Sequence, residues 1–222
     1  KEKIYKIYSI EEISEMSFSC PNCALLMKAP NSTQQRPTLG IPDTKFVLLN
    51  DRAKMITKAP IRVIDLSLLE LHNSRTFWDI GACTGSVSIE ARRQYPHLNI
   101  QAFEVREECK DIIRANARLH SAPGIDLHIG NFLNLPIAEN AIVDAVFIGG
   151  HGGKLKEIIC KVASHLDKLK GKIVFNSVSE ESNKLFREAV EENDLKLHSE
   201  MNITVDSNNP ITILCATGKY HV

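Results

Sequence analysis

Apolar and polar positions along this chain follow two alternating periods. From Thr57 onward, short runs that are apolar at almost every position alternate with longer stretches whose apolar residues recur every three or four places. The first kind reads as a strand buried on both faces, the second as a helix with one buried stripe. A helix capped by Thr57 and running to about Leu71 is expected, with Ile61, Ile64, Leu68 and Leu71 on one face. A strand over 75–80 follows, then a helix over about 85–95, a strand over 100–105 and a helix over about 107–120. That last helix carries Cys109, Ile112, Ile113, Asn116 and Ala117 on one stripe. Strands over 125–129 and 143–148 lead to a helix near 154–166 that buries Leu155, Ile158, Ile159, Val162 and Leu166. A strand over 172–176 and a helix over 180–191 complete the alternation.

The end differs in kind. Runs 195–205 and 211–217 are strand-like and are joined by the turn-forming stretch 206–210, so they pair as an antiparallel hairpin. Alternating strand and helix closed in this way predicts an α/β fold with a doubly wound, mainly parallel sheet and an antiparallel edge strand. Residues 1–36 look separate. Ile4, Ile7, Ile10 and Ile13 are expected to carry apolar contacts, 23–27 to form a short buried strand, and 29–37 to be a polar, proline-flanked linker. The expected organisation is therefore a tail over 1–36 and one domain over 37–222.

Composition narrows the partners. At 222 residues, with 27 basic and 27 acidic side chains, the chain offers no electrostatic footprint for a polyanion, so nucleic acid is not an expected partner. No run approaches the roughly 20 apolar residues that span a bilayer, and the start lacks the apolar segment of a signal peptide. Six cysteines are scattered at 20, 23, 83, 109, 160 and 215; Cys83, Cys109 and Cys160 have no framework spacing and read as reduced cytosolic thiols. The Cys20–Cys23 pair lacks two further ligands nearby, so no metal is expected.

The chemistry concentrates at Asp79-Ile-Gly81-Ala82-Cys83-Thr84-Gly85, at the carboxyl end of the first sheet strand, where open α/β sheets bind ligands. Gly81 and Gly85 let the backbone approach a ligand closely, and the next helix aims its free amides there. A pyrophosphate-binding turn has a glycine where Cys83 stands, and Asp79 would repel a pyrophosphate. A carboxylate there suits a sulfonium cation carrying an amino-acid tail. Glu104, 23 residues past Gly81, stands where a ribose would have its hydroxyls bound. Asn131 and Phe132, after the third strand, are candidates for the edge and face of an adenine. Each alone reads equally well as a turn or surface residue; the case rests on three in register at successive strand ends.

A second glycine cluster, Gly149-Gly150-His151-Gly152-Gly153-Lys154, follows the fourth strand. A sharp turn needs only one or two of these glycines. The functional reading is a loop whose backbone closes over a large substrate, with 150–154 as its candidate residues and no assignment of His151 as a base.

These segments resemble the decarboxylating precorrin-6B (cobalt-precorrin-6B) carbon-15 methyltransferases of cobalamin biosynthesis. The resemblance is carried by Gly40-Ile-Pro-Asp43, Ile56-Thr-Lys58, 78–90 and 146–155. It implies the class I S-adenosylmethionine-dependent, Rossmann-like methyltransferase fold, with Thr57, Gly81 through Gly85, Glu104 and the main chain of Phe132 holding S-adenosylmethionine. It also implies methylation of carbon-15 of a tetrapyrrole, coupled to decarboxylation of the carbon-12 acetate, and a homotetramer. Residues 1–36 look like the end of the carbon-5 methyltransferase domain that precedes this one in fused precorrin-6Y carbon-5,15-methyltransferases. Two departures are Cys83 and Phe132, where the family has small residues, and the short 206–210 connection.

Lys58, Arg62 and Lys154 are candidates for the substrate's carboxylates. No triad or paired carboxylate is evident, and positioning is expected to supply most of the rate. Two other readings stay open from the residues: a methyltransferase acting on protein or RNA, and a degenerate scaffold whose pocket is blocked by Cys83 and Phe132.

Overall fold

The structure is a computed structural model and describes residues 4–7, 9–25, 38–52, 55–206 and 209–219. The chain divides into two units, Lys1–Arg36 and Pro37–Val222. Among the described residues of the first, the one regular element is α1 (Ile10–Ser14), begun by Ser9, whose hydroxyl accepts from the Glu12 amide. Tyr5 meets Phe18 edge-on. The apolar contacts expected there are incomplete, because Ile4 and Ile13 are exposed. The expected strand over 23–27 is corrected in its described part: Cys23, Ala24 and Leu25 are exposed and irregular. A strand needs a partner for its backbone groups, and the described residues of this unit supply none. Met27 and the linker over 29–37 lie outside the described residues.

The second unit alternates as its apolar pattern demands. Helix α2 (Ala59–Leu68) leads through a 3-10 turn (Leu71–Asn73) to β1 (Thr76–Ile80), α3 (Ser86–Gln94), β2 (Asn99–Glu104), α4 (Cys109–Leu119) and β3 (Ile125–Ile129). Then come β4 (Ala145–Ile148), α5 (Leu155–His165), β5 (Lys172–Ser177), α6 (Glu180–Glu192), β6 (Leu195–Ile203) and β7 (Ile211–Gly218). Helix α2 stops at Leu68 rather than Leu71, since Glu70 takes a left-handed conformation that no α-helix continues through. Thr57 is not its cap. Lys58 occupies that place without a side-chain bond, and Pro60 in the first turn has no amide to satisfy.

The seven strands form one sheet in the order β3-β2-β1-β4-β5-β7-β6. Strands β1 to β5 are parallel, and β7 runs antiparallel to both β5 and the edge strand β6. The order reverses between β1 and β4, which opens a crevice above their carboxyl ends. Alternate side chains divide between two cores. Trp78, Ile80, Val146, Ile148 and Phe175 face α5 and α6, whereas Phe77, Ile100, Phe147 and Val174 face α2 and α3. Each fully buried aliphatic or aromatic side chain contributes on the order of 1.5–3 kcal/mol, so the sheet is a rigid platform for its loops. Among the described residues no helix is long and apolar enough to cross a membrane.

Candidate functional site

Register brings four strand ends level. Ile80 pairs with Phe103 on one side and Ile148 on the other, and Glu104 pairs with Ile129. The chain leaves β1 in a tight turn. Both the Gly81 and Ala82 amides donate to the Phe103 carbonyl, at 2.8 and 3.1 Å, and the Gly85 amide closes back on the Ala82 carbonyl at 2.8 Å. Gly81 and Gly85 take φ of 79° and 73°, which explains glycine at both places. Cys83 holds φ of 52° between them, where glycine is the usual occupant of such a turn.

Glu104 closes on this turn from β2. It is buried; one carboxylate oxygen accepts from the Cys83 amide at 2.8 Å, and the other from the Arg106 amide and Nε at 3.0 Å each. Asp79 is fully buried beneath it. Its Oδ2 accepts from the amide and hydroxyl of Ser88 at 3.1 and 2.6 Å, capping the first turn of α3 from outside, and Oδ1 has no partner. Burial pushes this carboxyl up to about 6, the Ser88 bonds pull it back, and Glu104 adds to the rise. Thr84 Oγ1 is likewise buried without a partner. Two orphaned oxygens beside a backbone cradle fit a ligand bearing a cationic amino-acid tail, since a buried acceptor without a donor is costly.

The second glycine turn meets the first. The Gly149 amide donates to the Ile80 carbonyl at 2.8 Å, and the Gly150 backbone lies where a side chain on Gly81 would have to stand. Gly152 and Gly153 take positive φ and face open space. His151 is half-buried, edge-on to Phe175, with Nδ1 accepting from the Gly153 amide at 3.2 Å. Burial lowers its pKa from the ordinary imidazole value, and Nε2 lies 3.5 Å from Ser182 Oγ.

Several expected site residues are elsewhere. Arg62 is fully buried and spends its guanidinium on Glu90, Asp43 and the carbonyls of Ile41 and Thr57. Enclosed in this way, it is not presented to a substrate carboxylate. Glu90, itself buried, accepts from the Gly40 and Ile41 amides, so one buried ion pair ties both amino-terminal motif segments to α3. Phe132 does not stack on a ligand: its ring is buried against Trp78 and Phe103, with Lys161 over it. Asn131 is exposed, and its side-chain oxygen accepts from the Leu133 amide, which makes it a turn residue. Lys58 is paired with Asp43 at 3.6 Å, and Lys154 is an exposed side chain paired with Glu157 at 3.2 Å. Cys83 packs in an apolar cluster with Leu49, Ala102, Cys109 and Ile113.

Sequence reasoning placed Asn116 on an apolar helix stripe and gave it no role. It is buried, and its side chain bonds to Val47 and to the Thr84 carbonyl. A polar residue in the middle of that stripe was the available signal.

A parallel sheet reversing at β1 and β4, with a glycine turn above β1 and an acid at the end of β2, defines the class I methyltransferase fold. The sequence profile of the precorrin methyltransferase domain matches residues 49–214, about three quarters of the chain. The chain belongs to that family. It is 35% identical over 127 residues to the cobalt-precorrin-6B C(15)-methyltransferase (decarboxylating) of Salmonella typhimurium, a match that spans 57% of this chain and 64% of the relative. It is 31% identical over 158 residues to a Sinorhizobium precorrin-6Y C(5,15)-methyltransferase [decarboxylating], 71% of this chain but 37% of that one. The crystal structure of precorrin-6y C5,15-methyltransferase from Geobacter metallireducens superposes with a TM-score of 0.73 at 32% identity, covering 83% of this chain and 100% of that chain.

Proposed function

We propose that this protein transfers a methyl group from S-adenosylmethionine to carbon-15 of precorrin-6B, with or without cobalt, and that the step is coupled to loss of the carbon-12 acetate carboxyl as carbon dioxide. The observation that carries this reading is the contact of the two glycine turns at Gly81 and Gly150, with Glu104 closing the same turn through the Cys83 amide. The names of the Salmonella and Geobacter relatives support the substrate class.

Thr57, the turn from Gly81 to Gly85, Glu104 and the main chain at Phe132 would hold the cofactor, which supplies an activated methyl group. The chain's own residues then position and exclude water. Glu104, held by Arg106 Nε at 3.0 Å in a buried setting, offers an acceptor suited to ribose hydroxyls. The bare Oδ1 of Asp79 suits an ammonium. The loop at 150–154 lines the open side, where Lys154 is free to exchange an exposed partner for a substrate carboxylate. We further assign the protein to the cytoplasm as a homotetramer, with residues 1–36 belonging to a preceding carbon-5 methyltransferase domain.

Incubation with precorrin-6B and methyl-labelled cofactor tests the reading by mass spectrometry. The expected product has gained one methyl and lost one carbon dioxide; a methylated product that keeps its acetate refutes the coupling. Calorimetry with S-adenosylmethionine tests the cofactor separately, since absence of saturable binding would leave only a scaffold.

A further inference from the structure

Asn116 sits on α4 with three of its four amide hydrogen-bonding positions filled, all by backbone. Its Oδ1 accepts from the Val47 amide at 2.7 Å, and its Nδ2 donates to the Val47 carbonyl at 3.0 Å. The side chain thus pairs with both polar groups of one residue, as a neighbouring strand would. The same Nδ2 donates to the Thr84 carbonyl at 3.0 Å. Thr84 immediately precedes Gly85, the first residue of the α3 boundary, and the peptide between them closes the cofactor turn onto the Ala82 carbonyl. One turn before Asn116, Ile113 stands where a Cβ on Gly85 would meet it at 3.0 Å, so α4 presses on this turn along its length. Val47 belongs to a strap whose next buried residue, Leu49, joins the apolar cluster of Ala82 and Cys83.

We propose that Asn116 is a positioning residue for cofactor binding: it locks the strap at Val47 to the glycine turn at Thr84, so that strap and turn keep one fixed separation. The inference rests on the cofactor reading above. A buried amide that loses its partners leaves the Thr84 carbonyl free to rotate, and with it the Gly85 amide. Asn116 does not touch the cofactor itself.

The test compares the whole chain with Asn116→Ala, and with Asn116→Ser as the milder truncation should the first not fold. Hydrogen exchange reads the bridge without any ligand: protection of the Val47 amide is expected to fall at least tenfold. Calorimetric titration with S-adenosylmethionine is expected to show about tenfold weaker affinity, while the emission of Trp78, the single tryptophan, stays that of a buried indole. In turnover, KM for the cofactor rises and kcat at saturation stays within about twofold. A folded variant with unchanged Val47 protection, or with affinity within twofold of the parent, overturns the proposal. A parent chain that binds no S-adenosylmethionine sinks the cofactor reading instead, and unchanged exchange would still be needed to sink the bridge.

Discussion

A Cβ built on Gly81 would stand 2.6 Å from the backbone nitrogen of Gly150. The relation is one-sided, because a Cβ built on Gly150 meets nothing nearer than the Gly81 Cα at 4.0 Å. Gly81 also holds φ of 79°, whereas Gly150 has no positive φ. Two glycines in one contact therefore do different work. Gly81→Ala must strain its own backbone, at about 1–2 kcal/mol, and push the second loop away besides. Gly150→Ala adds a methyl to ordinary space. The first variant is expected to unfold at lower urea and to lose S-adenosylmethionine binding at least tenfold, and the second to match the parent in urea. Equal loss in the two would mean that the loops do not meet as described.

Arg62 separates a structural charge from a substrate charge. Its removal leaves Glu90 buried without its cation and frees the Ile41 and Thr57 carbonyls. Breaking a buried pair from one side costs about 3–5 kcal/mol. Arg62→Ala is expected to lose that much in urea unfolding, with any folded remainder keeping its apparent affinity for the tetrapyrrole. A variant of parental stability with weakened tetrapyrrole binding would restore the substrate role.

The sheet was legible in the residues because strands such as 76–80 and 145–148 are buried on both faces, which forces near-continuous apolar runs. The glycine turn was legible because its geometry admits few residues. What was not legible depended on partners far away in the chain. Thr57 looked like a helix cap, yet its carbonyl went to Arg62, and the helix began without a side-chain cap. Phe132 looked free to stack on a ligand because nothing local shows that Trp78 and Phe103 surround it. Asn116 and Val47 are 69 residues apart. No local pattern announces such a bond.

Cys83 is where strain and packing oppose each other. Its φ of 52° costs a side-chain-bearing residue about 1–2 kcal/mol, and its buried thiol recovers a similar amount in its apolar cluster. Cys83→Gly removes both, so stability is expected to stay within about 1 kcal/mol and cofactor affinity to be unchanged or improved. Cys83→Val adds branching at a positive φ and is expected to fall by more than 2 kcal/mol in urea unfolding. If valine were tolerated as well as glycine, the turn would not have this conformation.

Asp65 gives the fold its pH dependence. Burial pushes its carboxyl up to about 8 from an ordinary 3.8, against the pull of the Asn176 amide bond and the nearby Arg62 charge, while Asp79 adds to the rise. Asn176 Nδ2 donates to Oδ2 at 2.7 Å, and Oδ1 has no partner. The folded protein then holds a proton that the unfolded chain releases near pH 4. Stability from this group is full below about pH 4, declines as pH rises, and is lost by about pH 8. A rise of that size corresponds to an effect on the order of 6 kcal/mol. Asp65→Asn keeps the shape and the bond from Asn176 while removing the titration. Urea unfolding from pH 5 to pH 8 is expected to show the parent weakening and the variant nearly level above pH 6, where the similar contribution of Asp79 is already spent. A variant that weakens as steeply as the parent above pH 6 would place the titrating group elsewhere.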